Sequence, residues 1–449
     1  MAVDALDPTP PMPRIPRRAA AGLLGLLRAR GDILSAFPEE AYRREVFTLR
    51  LPRRLLLVAN HPDVVRDLFV LRHDTYQAKS TSMVRALEPV IGDSLFINHG
   101  QVWEQRRAAI APALHISGLA AFEGDFATAA EELSERLAAG PAEVEIGAPL
   151  AAATARVMML ALFGPSSGAE AASALAARFT LYQQAAEHLD LLGLLGLPAL
   201  FSRGQGRAAR SHALALRAMV SAALAEITAP TPVMAAIRTA AGESAEALVN
   251  ETAMMLLAGS ETAANALTWT LWLLATHPGP RALVLAEIDR LPPGAPDVAA
   301  LAALPYTRMV LYEAMRLYPP VPVLSREALA PGRIRRWEVP AGSLVLVVPW
   351  LIHRHSAWWE APHSFRPERF SPEAARLQPK FTWLPFGVGP RVCAGAAFGM
   401  AEMLVFLAVL LRRFTIAPAP GFVPRPRARL TLRPEAGMRL LLGRRNGAG

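Results

Sequence analysis

Residues 384–400 read Leu-Pro-Phe-Gly-Val-Gly-Pro-Arg-Val-Cys-Ala-Gly-Ala-Ala-Phe-Gly-Met and contain Cys393, the only cysteine among 449 residues. This segment restricts the fold more than any other. Gly387, Gly389 and Gly395 bracket the cysteine, so the backbone can turn tightly and lie close against a flat partner. An Ala-rich apolar run follows, which puts Cys393 at the start of a helix. The N–H groups and partial positive charge of a helix start favour a thiolate and can hydrogen-bond its sulfur. Arg391 is free to pair with a carboxylate, and Phe386 to pack beside the sulfur. Taken alone, a single cysteine is more often a small buried hydrophobe. It does exclude a disulfide framework.

The rest of the composition narrows the class. With 52% hydrophobic and 19% charged residues, the chain can bury one large core or two ordinary ones. Its mean hydropathy of +0.25 is high for a soluble chain, so two apolar runs need an account. Residues 19–28 follow Arg14, Arg17 and Arg18, but the run breaks at Arg28 and Arg30 with no small-residue cleavage site after it. That fits an N-terminal helix better than a signal peptide. Residues 252–275 are long enough to span a bilayer. Glu261 and Asn265 lie near their middle, where a charge in lipid is expensive. A buried helix in a soluble, cytoplasmic protein without a membrane span is expected. The net charge of +9 is carried mostly by arginine, with Lys79 and Lys380 the only lysines. No basic stripe is interleaved with aromatics and no zinc-ligand spacing occurs, so nucleic acid is not expected. An arginine-rich composition bias or a basic face for an acidic protein both account for the charge.

Residues 1–39 read as a proline-rich arm (1–18) and a first helix, and residues 40–449 as a single domain. Residues 45–58 alternate as a short strand pair, and 61–74 look helical. From about 100 to 318 the apolar period is helical, interrupted by proline-bearing breaks at 228–232 and 292–296. Residues 333–348 read as strands joined by a Pro-Ala-Gly turn, 349–392 give no clear pattern, a helix covers about 395–412, and strands follow near 428–442. The expected class is mainly α, a helix-rich domain with a smaller β-rich region built from both ends.

Phe386, Gly389, Arg391, Cys393 and Gly395 match the haem-ligand signature F-x-x-G-x-R-x-C-x-G, and the chain resembles the cytochrome P-450 family of haem-thiolate monooxygenases in its soluble bacterial form. Chance agreement at five fixed positions in a chain this long has odds on the order of 10⁻⁴. The resemblance implies heme b, with Cys393 as axial ligand to the iron. Further motifs follow in the family's order. Ala258, Gly259, Glu261 and Thr262 match A/G-G-x-D/E-T on the distal side of the haem. There the resemblance implies that Gly259 widens the helix groove for oxygen, Thr262 hydrogen-bonds the reduced oxygen and Glu261 feeds protons from solvent. Read without the family, the same string is also a helix–helix contact through small residues. Trp103 and Arg107 match W-x-x-x-R, which binds a haem propionate, and Arg326 falls where another propionate-binding arginine is common. An arginine stem packed on tryptophan accounts for the first pair equally well. Glu313 and Arg316 match E-x-x-R, and Arg369 lies in the Pro-Glu-Arg-Phe element at 367–370. The three would form a buried charge network that supports the cysteine loop. His353, Arg354 and Trp359 fit the family's H-R and W positions, with a structural role expected.

The resemblance spans roughly residues 40–442. It implies insertion of one oxygen atom from O2 into a hydrophobic substrate, by hydroxylation or epoxidation. The family's microsomal anchor is not evident, and no flavin or ferredoxin segment accompanies the domain. Electrons are therefore expected from a ferredoxin or flavodoxin-like donor with its NAD(P)H reductase, acting on a monomer. A peroxide-using or rearranging haem-thiolate enzyme and a non-catalytic haem sensor are the alternatives. By resemblance, the pocket draws on residues 78–98, about 170–200, 250–262, 321–325 and 429–432, including Leu95, Phe96, Leu257, Val321, Val323 and Leu324. These are apolar, which suits a terpenoid, steroid, fatty acyl or aromatic substrate.

Overall fold

The protein was analysed as a computed structural model that describes residues 8–16, 31–51, 54–186 and 206–445. The helices that position the site are α1 (Gly100–Ile110), α2 (Gly147–Phe163), α3 (Ala169–Ala186), α4 (Ala245–Thr276), α5 (Pro305–Leu317) and α6 (Ala396–Arg413). Helix α4 is buried along nearly its whole length, as its all-round apolar sequence requires. Its hydroxyls are satisfied within the helix. Thr252, Ser260, Thr268 and Thr270 each donate to the carbonyl four residues back at 2.7 Å. Ser244 caps its start, accepting from the Ala247 amide at 3.1 Å. No helix among the described residues is long and apolar enough to cross a membrane.

The β-rich part is drawn from both ends of the chain, as expected. Strands β1 (Val46–Arg50), β2 (Leu55–Ala59), β3 (Ala78–Lys79), β4 (Leu324–Glu327) and β5 (Leu344–Val347) form one sheet in the order β1-β2-β5-β4-β3. Only the β2–β5 pair is parallel. A second apolar core lies under this sheet, built from Leu57, Phe69, Val345 and Val347 and reaching Leu384 at the head of the cysteine loop. The segment 333–348 forms strands joined by a Pro-Ala-Gly turn, as read. Gly332–Ile334 pairs with Trp337–Val339 as a small hairpin. Beyond the turn, β5 leaves to pair with β2 and β4, because its four buried residues need cover on both faces. The helix read over 61–74 is broken: Pro62–Arg66 is α-helical, Asp67–Leu71 widens to a π turn and His73–Thr75 tightens. Residues 8–16 are irregular, and the Pro11 carbonyl accepts from the Tyr318 hydroxyl at 2.9 Å. The first helix read at 19–28 lies outside the described residues.

Glu313 and Arg316 are fully buried on α5. Glu313 accepts the Nε and Nη2 of Arg316 at 2.6 and 2.8 Å, and the Arg366 amide at 2.9 Å. The other Arg316 N–H groups go to the carbonyls of His353, Pro362 and Ser364 at 2.7, 2.8 and 3.0 Å. All five guanidinium donors are thereby used. Arg369 Nε lies 3.4 Å from Glu313, and its Nη2 donates to Ala361 at 2.9 Å. The expected three-residue network is therefore present and pins the segment 353–369. Removing one partner strands a buried charge. Glu313→Ala should cost about 3–5 kcal/mol of unfolding free energy, read from the denaturant midpoint.

Candidate active site

Cys393, at the end of the glycine loop, opens into an internal cavity of about 350 Å³. The loop is held by its own backbone. The Cys393 amide donates to the Phe386 carbonyl at 2.8 Å, and the Val392 amide to Gly389 at 2.9 Å. Gly387 and Gly389 take φ of +73° and +76°. At Gly389 a Cβ would come 2.0 Å from the carbonyl oxygen of Phe69, so no side chain fits there. Gly395 stands just before α6 with ordinary φ. The expectation that the helix start lowers the thiol pKa is corrected. Burial pushes the Cys393 thiol up and outweighs the Gly395 hydrogen bond and the charge of Arg107, which pull it down. Phe386 also lines the cavity, as expected.

One wall of the cavity carries Lys79, Arg107, Arg326 and Arg391. Lys79 and Arg326 face each other directly across β3 and β4, an unfavourable arrangement for like charges. Among the described residues no carboxylate pairs with any of the four. Glu402, also on the cavity, forms no ion pair with them: burial pushes its pKa well above the usual carboxylate range, and its oxygens have no hydrogen-bond partner. Within the polypeptide Arg391 meets neutral groups, and no carboxylate of the described residues reaches it. Its Nη2 donates to the Asn98 carbonyl, its guanidinium lies 4.6 Å from the Trp103 ring centre, and its Nε is buried without a partner. Burial, with Arg326 and Arg107 nearby, lowers the Arg391 pKa to about 9. Burial alone takes Arg326 to about 10, and burial then Arg326 and Arg391 hold Lys79 well below its usual value. Trp103 is buried between Arg391 and His73, 5.4 Å from the latter ring. Arg107 is half-buried, and burial lowers its pKa.

Helix α4 lines the same cavity with Ala258, Gly259, Glu261 and Thr262. The Thr262 hydroxyl donates to the Ala258 carbonyl at 2.9 Å. Glu261 accepts from Gln183 on α3 and from Thr431, and Gln183 in turn accepts from Arg433 at 2.6 Å. At Gly259 the Met158 side chain of α2 occupies the space a Cβ would need. The helix–helix contact is thus present, and the helix runs unbroken through this turn rather than widening. Leu95, Phe96, Leu257, Val321, Val323 and Leu324 all line the cavity. The part of 170–200 beyond residue 186 lies outside the described residues.

Lys79, Gln183, Thr431 and Glu251 were not singled out as site residues from the sequence. Lys79 carried a usable signal, being one of two lysines in an arginine-rich chain. The others lie inside the pocket segments 170–200, 250–262 and 429–432 that the resemblance implied, but nothing marked them individually. Glu251 on α4 is buried and accepts the Leu95 amide at 2.9 Å and Arg106 Nη1 at 3.0 Å, which anchors the Leu95–Phe96 loop.

The comparisons agree with this geometry. The family profile Cytochrome P-450 matches residues 12–195 and 230–441. The chain belongs to the cytochrome P-450 family. It is 30% identical over 421 residues to cyclooctatin synthase of Streptomyces melanosporofaciens, covering 91% of this chain and 90% of that one. It is 28% identical over 411 residues to cytokinin hydroxylase of Arabidopsis thaliana, covering 86% and 78%. The solved heme domain of cytochrome P-450DA superposes with a TM-score of 0.82 at 22% identity over 98% of each chain, a likeness of fold. As a member, this P-450 is a monooxygenase that uses heme b. The cavity fits that group: its unpaired cations call for a ligand with two carboxylates, and the loop brings a sulfur to the same space.

Two predictions follow from the wall and from Glu251. Lys79→Met should raise the melting temperature of the haem-free protein by about 2–4 °C, the shift of ~1 kcal/mol in a long chain, and speed haem loss to an acceptor protein. Burial raises the Glu251 pKa to about 7. Because the folded state then holds a proton the unfolded state has lost, stability falls as pH rises from about 4.5 to 7. Glu251→Gln should flatten that slope in denaturant titrations.

Proposed function

We propose that this P-450 hydroxylates or epoxidises a hydrophobic small molecule with O2, using Cys393 as the axial ligand of the haem. The observation that carries the reading is the cavity itself, with the only cysteine on one side and Glu261 and Thr262 on the other. Haem, when bound, supplies the iron at which O2 is taken up, reduced and cleaved. Every other task falls to side chains. Trp103, Arg107, Arg326 and Arg391 hold the propionates, and Phe386, Gly387 and Gly395 shape the proximal contact. Cys393 would hold the iron through its sulfur as a thiolate, the form a metal ligand must take. Thr262, released from the Ala258 carbonyl, donates its Oγ1 proton into the cavity, and Glu261 relays a proton from solvent to replace it. Ala258 and Gly259 line the cavity beside them, with Met158 packed against Gly259. The Glu261–Thr262 pair favours oxygen activation over a peroxide-using, rearranging or sensing role.

The apolar wall of Leu95, Phe96, Leu257 and Val323 supports a hydrophobic substrate. The relatives' names, a cyclooctatin synthase and a cytokinin hydroxylase, point to no single compound. We take residues 40–449 as one catalytic domain, soluble and cytoplasmic, working as a monomer. Its net charge of +9 suits an acidic ferredoxin or flavodoxin-like donor served by an NAD(P)H reductase. Cys393→Ala should abolish the red-shifted absorbance of the reduced carbon-monoxide complex. Thr262→Ala should keep that band and divert electrons to hydrogen peroxide, lowering product per nicotinamide oxidised about tenfold. Unchanged coupling refutes the proton-delivery role.

A further inference from the structure

His353 is fully buried, and its ring lies between two backbone groups of opposite kind. Its Nε2 is 2.7 Å from the amide nitrogen of Leu384, and its Nδ1 is 3.2 Å from the carbonyl oxygen of Arg316. An amide N–H can only donate and a carbonyl can only accept. The ring must therefore carry its proton on Nδ1 and offer the Nε2 lone pair to Leu384. A doubly protonated ring would set one N–H against another. Burial, with Arg316 and Arg354 close by, keeps the ring neutral.

The two partners belong to the two rigid parts of the proximal side. Arg316 is the fully satisfied centre of the Glu313–Arg316–Arg369 network and also donates from Nη1 to the His353 carbonyl at 2.7 Å. Leu384 is buried and opens the cysteine loop, and its carbonyl accepts from the Gly387 amide at 3.0 Å. Two residues on, the Phe386 carbonyl accepts from the Cys393 amide at 2.8 Å. The hydrogen bonds thus run from Arg316 through the imidazole to the head of the loop that ends at Cys393.

We infer that His353 is a positioning residue, which hands the rigidity of the arginine anchor to the cysteine loop through its Nδ1–H bond to Arg316 and its acceptance of the Leu384 amide. The inference rests on Cys393 being the haem ligand.

Two near-isosteric variants of the haem-loaded protein separate the bonds. His353→Gln reaches as far as Nε2 and keeps an acceptor for Leu384. His353→Asn reaches only as far as Nδ1 and keeps the bond to Arg316 alone. The glutamine variant should retain the red-shifted band of the reduced carbon-monoxide complex, with Leu384 amide exchange within about threefold of the unaltered protein. The asparagine variant should lose about half of that band to the blue-shifted form and exchange Leu384 about tenfold faster. Substrate affinity, set by the opposite wall, should be equal in both. Equal spectra and equal exchange in the two variants would overturn the inference. If neither variant retains haem, the unaltered holoenzyme decides. Its Leu384 amide should exchange with the slowest core amides, and exchange at the rate of surface loops refutes the bond. If the unaltered protein itself lacks the red-shifted band, the ligand assignment fails, while the exchange measurement still reads the His353–Leu384 bond.

Discussion

The P-450 cavity is built around charge it does not balance. Lys79, Arg107, Arg326 and Arg391 stand on one wall, and the nearest candidate acids are unable to answer them. Burial pushes the Glu402 pKa well above the usual carboxylate range, and Glu261 is engaged by Gln183 and Thr431. Holding several cations away from water is costly unless an anion joins them. The lowered pKa values of Arg326 and Arg391 express that cost. An anionic cofactor seated against these cations would supply the negative charge that the described residues lack.

The cavity's two ends are held by different means. The cysteine loop is fixed by backbone hydrogen bonds, by glycines at positive φ and by contact with the Phe69 carbonyl. The distal side depends on side chains from three segments, with Gln183 on α3 and Thr431 near the C-terminus meeting Glu261 on α4. A loop held by its own backbone keeps the Cys393 sulfur in one place. The side-chain contacts around Glu261 can rearrange without moving backbone.

Much of this was legible in the sequence because it is local. The cysteine loop, the Glu261–Thr262 pair, the Glu313–Arg316 pair and the strand pair at 46–59 each lie within a few residues, where spacing and turn chemistry speak directly. The features that were not legible depend on distant partners. Nothing near Arg391 announces that it will rest on Trp103 and the Asn98 carbonyl. The turn at Pro340-Ala341-Gly342 joins two strands as read, but nothing local says that β5 pairs with β2 across almost three hundred residues. The thiol of Cys393 was expected to be acidic from its helix start, but burial, which needs the whole fold, outweighs that local field. The lysine at 79 was visible as an oddity of composition, and only its pairing opposite Arg326 gave it meaning.

Gly389 has its own consequence. Where another protein would have a side chain, this one has the carbonyl of Phe69. Most core positions degrade by degrees, a methyl lost here or a void opened there, and drift can pass through the intermediates. Here even alanine, the smallest step, collides with main chain. Position 389 is an all-or-none choice between glycine and a loop that must move. The π turn around Phe69 is bound to it, free to change its side chains but not its distance from the loop.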